Sequence, residues 1–243
     1  QRQMCIRDRG MGGKLKFDKV HISGPNYALW VQGPNAKLEV INGSLIEANY
    51  FSISTDATLQ GGGLLYGGAD IMLKDSKFIA GETGFMTNVS PSTVNIENCE
   101  FSGNHQAAFL RGGTYTIKNS SFTLKAELES THSENNHMKQ WQDGNRAAFA
   151  GITIGNYLSS AYQYPTTVAM TGVTVKVEGT HASSFPAVHV CANAAENKGV
   201  TLTYDGSCSF TSTYDPAVEY GTANITVNGE KVEKSNVKQE TSN

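Results

Sequence analysis

One eight-residue pattern recurs through the chain and constrains its fold more than any other feature. The pattern reads apolar, any, apolar, any, Asn/Asp/Gly, small, any, apolar. Four of the seven spacings between successive copies are 21–23 residues, and insertions explain the longer ones. Apolar residues that alternate with period two predict strands with one buried face, and a repeat of this length predicts a solenoid. The eight copies begin at Leu15, Leu38, Ile71, Val94, Tyr115, Val168, Leu202 and Ile225.

A second, shorter block follows most copies of this pattern. It reads small, apolar, any, apolar, so each repeat contains about three short strands. A single coil of three strands cannot bury its apolar face, whereas coils stacked about 4.8 Å apart bury that face and pair the backbone groups. We therefore predict an all-β parallel β-helix solenoid of about seven to eight coils. A row of β-sandwich domains is the runner-up, because Asn-Gly and Asp-Gly pairs also mark hairpins.

Equivalent positions of successive copies predict columns of like residues along the solenoid. Phe78, Phe101 and Phe122 take the last pattern position of three consecutive copies and predict a buried aromatic stack. The turn position favours residues that tolerate a positive φ angle, and Asn side chains there can also hydrogen-bond along the stack. This position holds Asn42, Asp75, Asn98 and Asn119, and later Gly172, Gly206 and Gly229.

The Asn column resembles the asparagine ladder of right-handed parallel β-helix proteins, such as the pectate-lyase-like superfamily. The resemblance covers residues 15–232, is a match of fold, and extends to modules of bacterial surface or secreted proteins. It implies right-handed winding and a polysaccharide-binding groove on one strand face between long turns. The left-handed β-helix fits poorly, because its hexapeptide repeat is absent.

The pattern divides the chain into three segments. Residues 1–10 carry three Arg and no strand period, so we expect a non-native or disordered leader there. Residues 11–232 form the predicted single β-helix domain, and residues 233–243 form a polar tail or linker. Neither end of the solenoid shows an evident cap, so we expect further coils or domains in a longer parent chain.

The composition excludes several classes of partner. Charged residues are 17% of the chain and the formal net charge is −3, so we expect no nucleic-acid binding. The chain contains no run of about 18 apolar residues, so we expect no membrane insertion. The resemblance to surface modules implies an extracellular or cell-surface location. We expect no cofactor and no metal site, because Cys99, Cys191 and Cys208 include no C-x-x-C pair.

The insertions lie on both sides of the third strand of each coil. Segments 125–146 and 178–186 precede it, and segments 58–68, 156–167 and 192–199 follow it. Because long loops often carry binding residues, the third-strand face is the candidate binding surface, and a polysaccharide or host glycan is its expected partner. Aromatic rings stack on sugar faces, and polar groups bond sugar hydroxyls. The candidate ligand-binding residues are Trp30, Trp141, Tyr157, Tyr162, Tyr164 and Arg146.

That face lacks the carboxylate pair that an inverting hydrolase needs. His189 and Glu219 are the weak catalytic candidates, because they occupy equivalent positions on adjacent coils, and a His–carboxylate pair can serve in acid–base work. A solvated cross-strand pair explains them equally well. The predicted outward positions are Trp30, Ser52, Met86, Leu110, Ala150, His189 and Glu219.

We therefore expect a non-catalytic cell-surface or secreted module, adhesin-like or stalk-like, that binds a glycan on the third-strand face. The alternative is a polysaccharide lyase or glycoside hydrolase that acts on an acidic or a plant or host polysaccharide.

Overall fold

Three parallel β-sheets wrap around one apolar core in the computed structural model of this chain. The structure describes residues 13–31, 35–55, 68–87, 91–127, 138–140, 146–155, 164–191, 199–221 and 224–235. Within these ranges the first sheet has nine strands, and the second and third sheets have seven each. No helix in these ranges is long and apolar enough to cross a membrane.

Each coil contributes one strand to each of the three sheets. Coils 1 and 2 contain β1 (Lys14–Asp18), β2 (His21–Gly24) and β3 (Tyr27–Val31), then β4 (Lys37–Ile41), β5 (Leu45–Ala48) and β6 (Phe51–Thr55). Coils 3 and 4 contain β7 (Asp70–Lys74), β8 (Lys77–Ala80) and β9 (Thr83–Met86), then β10 (Thr93–Glu97), β11 (Glu100–Gly103) and β12 (Gln106–Leu110).

The later coils carry additional elements between their strands. Coil 5 contains β13 (Gly113–Lys118), β14 (Ser121–Lys125), the antiparallel pair β15 (Met138–Gln140) and β16 (Arg146–Ala148), and β17 (Ala150–Gly155). Coil 6 contains β18 (Thr166–Thr171), β19 (Thr174–Glu178), a 3-10 helix (Ala182–Ser184) and β20 (Val188–Cys191). Coil 7 contains β21 (Val200–Tyr204), β22 (Ser209–Thr211) and β23 (Val218–Tyr220), and β24 (Ile225–Val227) and β25 (Glu230–Val232) follow.

The strand order confirms the predicted parallel β-helix and shows that the β-sandwich alternative is wrong. Each strand pairs in parallel with the equivalent strand of the next coil, so the backbone hydrogen bonds run along the solenoid. The first positions of seven pattern copies form one register column, in agreement with the repeat. This column contains Leu15, Leu38, Ile71, Val94, Tyr115, Val168 and Leu202.

The eighth copy departs from the prediction. Leu202 pairs with Val227 and not with Ile225, and β24 turns back to pair antiparallel with β25. Asn228 and Gly229 make this turn with φ angles of 50° and 89°. Two consecutive residues with positive φ form the type of turn that joins hairpin strands, so this Asn-Gly pair makes a hairpin and not a coil turn.

The predicted aromatic stack is confirmed in the core. The ring centroids of Phe78 and Phe101 lie 4.7 Å apart, and those of Phe101 and Phe122 lie 4.8 Å apart, with interplanar angles of 11° and 4°. The strand register places the three residues directly above one another, and all three are buried.

The turn column adopts the predicted left-handed conformation at most of its positions. The φ angles of Asn42, Asp75, Asn98, Asn119 and Gly172 are 58°, 50°, 53°, 47° and 63°. The Asn98 amide donates to the Asp75 carboxylate at 3.0 Å, a hydrogen bond that runs along the column.

Gly206 does not have a positive φ angle, so the left-handed conformation predicted for it is wrong. Asp205 provides the local reason, because its carboxylate accepts a hydrogen bond from the Ser207 backbone N–H at 3.0 Å. This side-chain bond forms an Asx-turn, in which the following residue needs no positive φ.

In chain order, long connections occur before and after third strands, as the repeat predicts. The chain segment between β6 and β7 follows a third strand, and the segment between β19 and β20 precedes one. The start of the predicted tail contacts coil 7, because the Ser235 N–H donates to the Tyr220 carbonyl and the Ser235 hydroxyl accepts from the Tyr220 N–H. The leader residues 1–10 and the tail residues 236–243 lie outside the described residues.

Candidate functional site on the third sheet

The outer face of the third sheet consists of two register columns that lie outside the central core cluster. In β3, Ala28 and Leu29 both belong to the core cluster, so Tyr27 and Trp30, three positions apart, lie outside it. The first column contains Tyr27, Phe51, Thr83, Gln106 and Ala150. The second contains Trp30, Ser54, Met86, Phe109, Thr153, His189 and Glu219.

Two of the seven predicted outward positions are wrong, Ser52 and Leu110. Leu110 belongs to the core cluster, and the Ser52 hydroxyl donates to the Gly84 carbonyl. Phe109 and Ser54 take their places in the second column. Ala150 lies on the outer face as predicted, but in the first column, and Thr153 occupies the second. At Leu110 the cause is register, because a shift of one residue moves a strand side chain to the opposite face.

An aromatic group covers the first two coils of this face. The ring of Tyr27 stacks on Trp30 at 5.2 Å and 28°, and on Phe51 at 5.1 Å and 19°. Tyr27 and Trp30 are partly exposed, whereas Phe51 is buried. We name these three residues the aromatic platform. The sequence prediction included only Trp30, although the three-residue spacing of Tyr27 and Trp30 is visible in the chain.

The platform continues into a buried apolar strip on coils 3 and 4. Phe51, Met86 and Phe109 form a cluster separate from the central core, and Tyr27 packs against it. The Arg111 guanidinium lies 4.4 Å from the Phe109 ring centroid, and its Nε donates to the Thr87 carbonyl at 3.1 Å. A cation over an aromatic face is attracted by the ring quadrupole. This attraction and the hydrogen bond to Thr87 hold the Arg111 side chain in place.

A polar network occupies the same column at coils 6 and 7. His189 Nδ1 lies 2.6 Å from Glu219 Oε2, and the Tyr214 hydroxyl donates to Glu219 Oε1 at 3.2 Å. The side chains of His189 and Glu219 are only 1% and 3% exposed. Burial raises the pKa of the Tyr214 phenol above its ordinary value, and the neighbouring Glu219 carboxylate raises it further. Burial likewise raises the pKa of the Cys191 thiol on β20, which favours its neutral form.

The geometry of this network favours a structural role. A general acid or base must lie within hydrogen-bond reach of the substrate, and the carboxylate and imidazole here are bonded to each other and shielded from solvent. The pair instead joins β20 to β23, which is the edge strand at the C-terminal end of the third sheet. Removal of one partner from a buried, hydrogen-bonded pair of this kind destabilises a protein, because the other partner is left buried without its bond.

A second His–carboxylate pair lies on the turn before the third strand, and the sequence pattern did not reveal it. His105 Nδ1 lies 3.6 Å from Glu82 Oε2, and the His105 ring stacks on Phe149 at 4.4 Å with an interplanar angle of 0°. Within the described residues, no group of three or more His, Cys, Asp and Glu side chains gathers in a way that could hold a metal ion.

Two of the predicted ligand-binding residues that the structure describes, Trp30 and Tyr164, lie far apart along the solenoid. Trp30 lies on coil 1, and the partly exposed Tyr164 precedes the first strand of coil 6, about five coil steps or ~24 Å along the solenoid. Arg146 pairs with Gln140 through the backbone of β16. Three predicted residues lie outside the described residues: Trp141, Tyr157 and Tyr162.

Comparisons with known proteins place the chain in no family. No family model matches it, and no curated protein matches it significantly. Among solved structures, a tailspike protein, gp49 from Acinetobacter baumannii bacteriophage Fri1, described as a capsular polysaccharide depolymerase, is similar at 11% identity and a TM-score of 0.24. The match covers 94% of this chain and 59% of the tailspike chain, so this chain spans little more than half of that length. A likeness at this TM-score does not bear on function.

Proposed function

We propose that this chain is a non-catalytic, glycan-binding β-helix module of a secreted or surface-attached bacterial protein, related to the pectate-lyase-like superfamily. The observation that supports it is the aromatic platform of Tyr27, Trp30 and Phe51 on the outer face of the third sheet. Two of its rings are partly exposed.

Aromatic rings suit sugars because the C–H face of a pyranose is apolar, whereas its edge carries hydroxyls. A ring stacked on that face removes apolar surface from water, and neighbouring polar groups then bond the hydroxyls. The mutual stacking of Tyr27 on both Trp30 and Phe51 restrains the three rings before any ligand binds. Such preorganisation lowers the entropy lost on binding.

The absence of catalysis is supported by the burial of the His189–Glu219 pair. Its two side chains are 1% and 3% exposed, so neither presents a proton-transfer group to a bound polysaccharide. The surrounding strand positions, Thr153 and Phe109, are buried and offer no second carboxylate.

Glycan binding measured by titration calorimetry or on a glycan array tests the proposal. We expect Trp30→Ala to weaken binding about tenfold or more, which corresponds to ~1.4 kcal/mol. Met72→Ala is the matched control, because Met72 is an exposed apolar side chain (45%) on the first sheet. A panel of glycans that shows no binding, or binding that Trp30→Ala leaves unchanged, contradicts the proposal.

A polysaccharide lyase or glycoside hydrolase is the second candidate, because His189, Glu219 and Tyr214 are residue types that serve in acid–base catalysis and are hydrogen-bonded together on the candidate face. Incubation with polyuronates and neutral glycans, followed by assay of reducing ends and unsaturated products, separates the two functions. Cleavage that Glu219→Gln abolishes would overturn the non-catalytic proposal. Glu47→Gln is the control, since Glu47 forms an exposed pair with His21 at 2.7 Å.

A further inference from the structure

The third sheet differs from the other two sheets in its charge. Its first five strands contain no Asp, Glu, Lys, Arg or His at any position: β3, β6, β9, β12 and β17. The first acidic, basic or His side chains in the strands of this sheet are His189 and Glu219, on coils 6 and 7. The aromatic platform therefore lies on strands that carry no charged side chain over the first five coils, or ~24 Å.

The outer faces of the first and second sheets are charged over the same early coils. Lys37 pairs with Asp70 at 3.3 Å on the first sheet, and Lys77 pairs with Glu100 at 2.7 Å on the second. Because all three sheets share the same coils, the lack of charge is specific to the third face. Further cross-coil pairs on the charged sheets are Lys14–Glu39, Lys74–Glu97 and His21–Glu47.

Among the described residues, the charged groups that adjoin these five strands do not suit an anionic sugar. Arg111 follows β12 but is only 1% exposed, with its guanidinium over Phe109 and its Nε bonded to the Thr87 carbonyl. Glu82 lies on the turn before β9, where its carboxylate approaches His105. A uronate or sulfate group needs a cation to offset its loss of water, and a carboxylate nearby would repel it.

The Trp30 indole supplies the polar contact that a neutral sugar can use. Its Nε1–H is buried and has no hydrogen-bond acceptor among the described residues. A buried donor without an acceptor costs free energy, and a sugar hydroxyl at the indole edge can accept this hydrogen bond once the groups that cover the N–H move aside. Ser54, the next residue in the same column, is also uncharged, and its buried hydroxyl donates to the Thr55 carbonyl at 3.4 Å.

We propose that the aromatic platform selects uncharged pyranose glycans and discriminates against uronic-acid and sulfated chains. This inference rests on the proposed glycan-binding function and names its ligand class. Binding by stacking and neutral hydrogen bonds depends little on ionic strength, whereas binding of a polyanion weakens as salt screens the charges.

Titration of the whole chain with neutral homopolysaccharides and with a polyuronate and a sulfated glycan tests this inference. We expect neutral glycans to bind at least about tenfold more tightly than either anionic chain, with less than about a twofold change in affinity between ~0.05 M and ~0.5 M NaCl. Trp30→Phe keeps a ring and removes the N–H, so we expect about threefold to tenfold weaker binding of neutral glycans. Circular dichroism and thermal melting confirm that the variant is folded.

The outcomes separate this inference from the function on which it rests. Equal or tighter binding of the polyuronate or the sulfated glycan, weakened by Trp30→Phe, overturns the selectivity and leaves glycan binding in place. The absence of binding to every glycan overturns both. Neutral binding that is insensitive to salt and weakened by Trp30→Phe supports both.

Discussion

Phe101 is the centre of a three-ring stack, and the consequence of its removal can be worked from the structure. Phe101 has a parallel ring on each side, whereas Phe78 and Phe122 each have one ring and one aliphatic neighbour, Ile46 and Val175. Aromatic pairs contribute about 0.5–1.5 kcal/mol beyond their buried area. Phe101→Leu therefore loses about 1–3 kcal/mol from its two stacked contacts, and its tilted contact with Phe85 at 6.1 Å adds to this loss. Phe78→Leu or Phe122→Leu loses about 0.5–1.5 kcal/mol.

The loss of apolar burial is similar in the three variants, because the side chains are 0%, 2% and 0% exposed for Phe78, Phe101 and Phe122. We expect Phe101→Leu to lower the free energy of unfolding by at least about 0.5–1.5 kcal/mol more than either outer substitution. Urea unfolding followed by far-UV circular dichroism and by tryptophan fluorescence measures this difference. Coincident transitions from the two probes establish that the two-state treatment holds.

Double substitutions provide the control for differences in cavity size. Phe78→Leu and Phe101→Leu should couple by about 0.5–1.5 kcal/mol, because their rings are in contact. Phe78→Leu and Phe122→Leu should be additive, because these residues lie two coil steps apart, about 9.6 Å. The reasoning fails if Phe78→Leu destabilises the protein as much as Phe101→Leu, or if the separated pair couples as strongly as the adjacent pair.

Three further substitutions or labelling experiments test other parts of the solenoid. Gly155→Ala should destabilise the protein more than Gly43→Ala, because both positions have positive φ (88° and 80°) but only at Gly155 would the new Cβ clash with a backbone carbonyl; equal midpoints in urea contradict this. Asn98→Ala should lower the free energy of unfolding by about 1–2 kcal/mol and Asn98→Gly by less, because φ is 53° at this position. Thermal melting of the two variants tests this order. Burial raises the pKa of the Cys99 thiol to about 12, which keeps it in its unreactive neutral form. Iodoacetamide at about pH 8 should therefore alkylate the half-buried Cys208 in the native protein and spare Cys99. Peptide mapping that finds Cys99 modified first contradicts this.

The core of the solenoid could be predicted from the chain because repetition places like residues on like residues. Phe101 stacks between two Phe residues for the same reason that Leu38 pairs with Leu15, since each coil copies the path of the preceding one. The long connections also follow from the repeat, because an insertion interrupts the spacing at the turn where it occurs.

The candidate site could be predicted only in part. The equivalence of His189 and Glu219 is visible in the chain, and the structure brings the two side chains to 2.6 Å. Their burial was not predicted, because an alternating pattern indicates which side a residue faces but not what covers that side. Tyr214 was missed because it belongs to the turn before β23, where no repeat indicates which way a side chain points.

The amino-acid sequence by itself determined the period, the three strands in each coil, and the columns of aromatic and turn residues, because these depend on local alternation and on backbone conformation. Only the tertiary structure decided the register of the third strands, where a shift of one residue turns Leu110 inward and Phe109 outward. It also decided which outward residues remain accessible. Exposure depends on contacts summed over distant parts of the chain, so Trp30 stays partly exposed while Glu219 in the same column is buried.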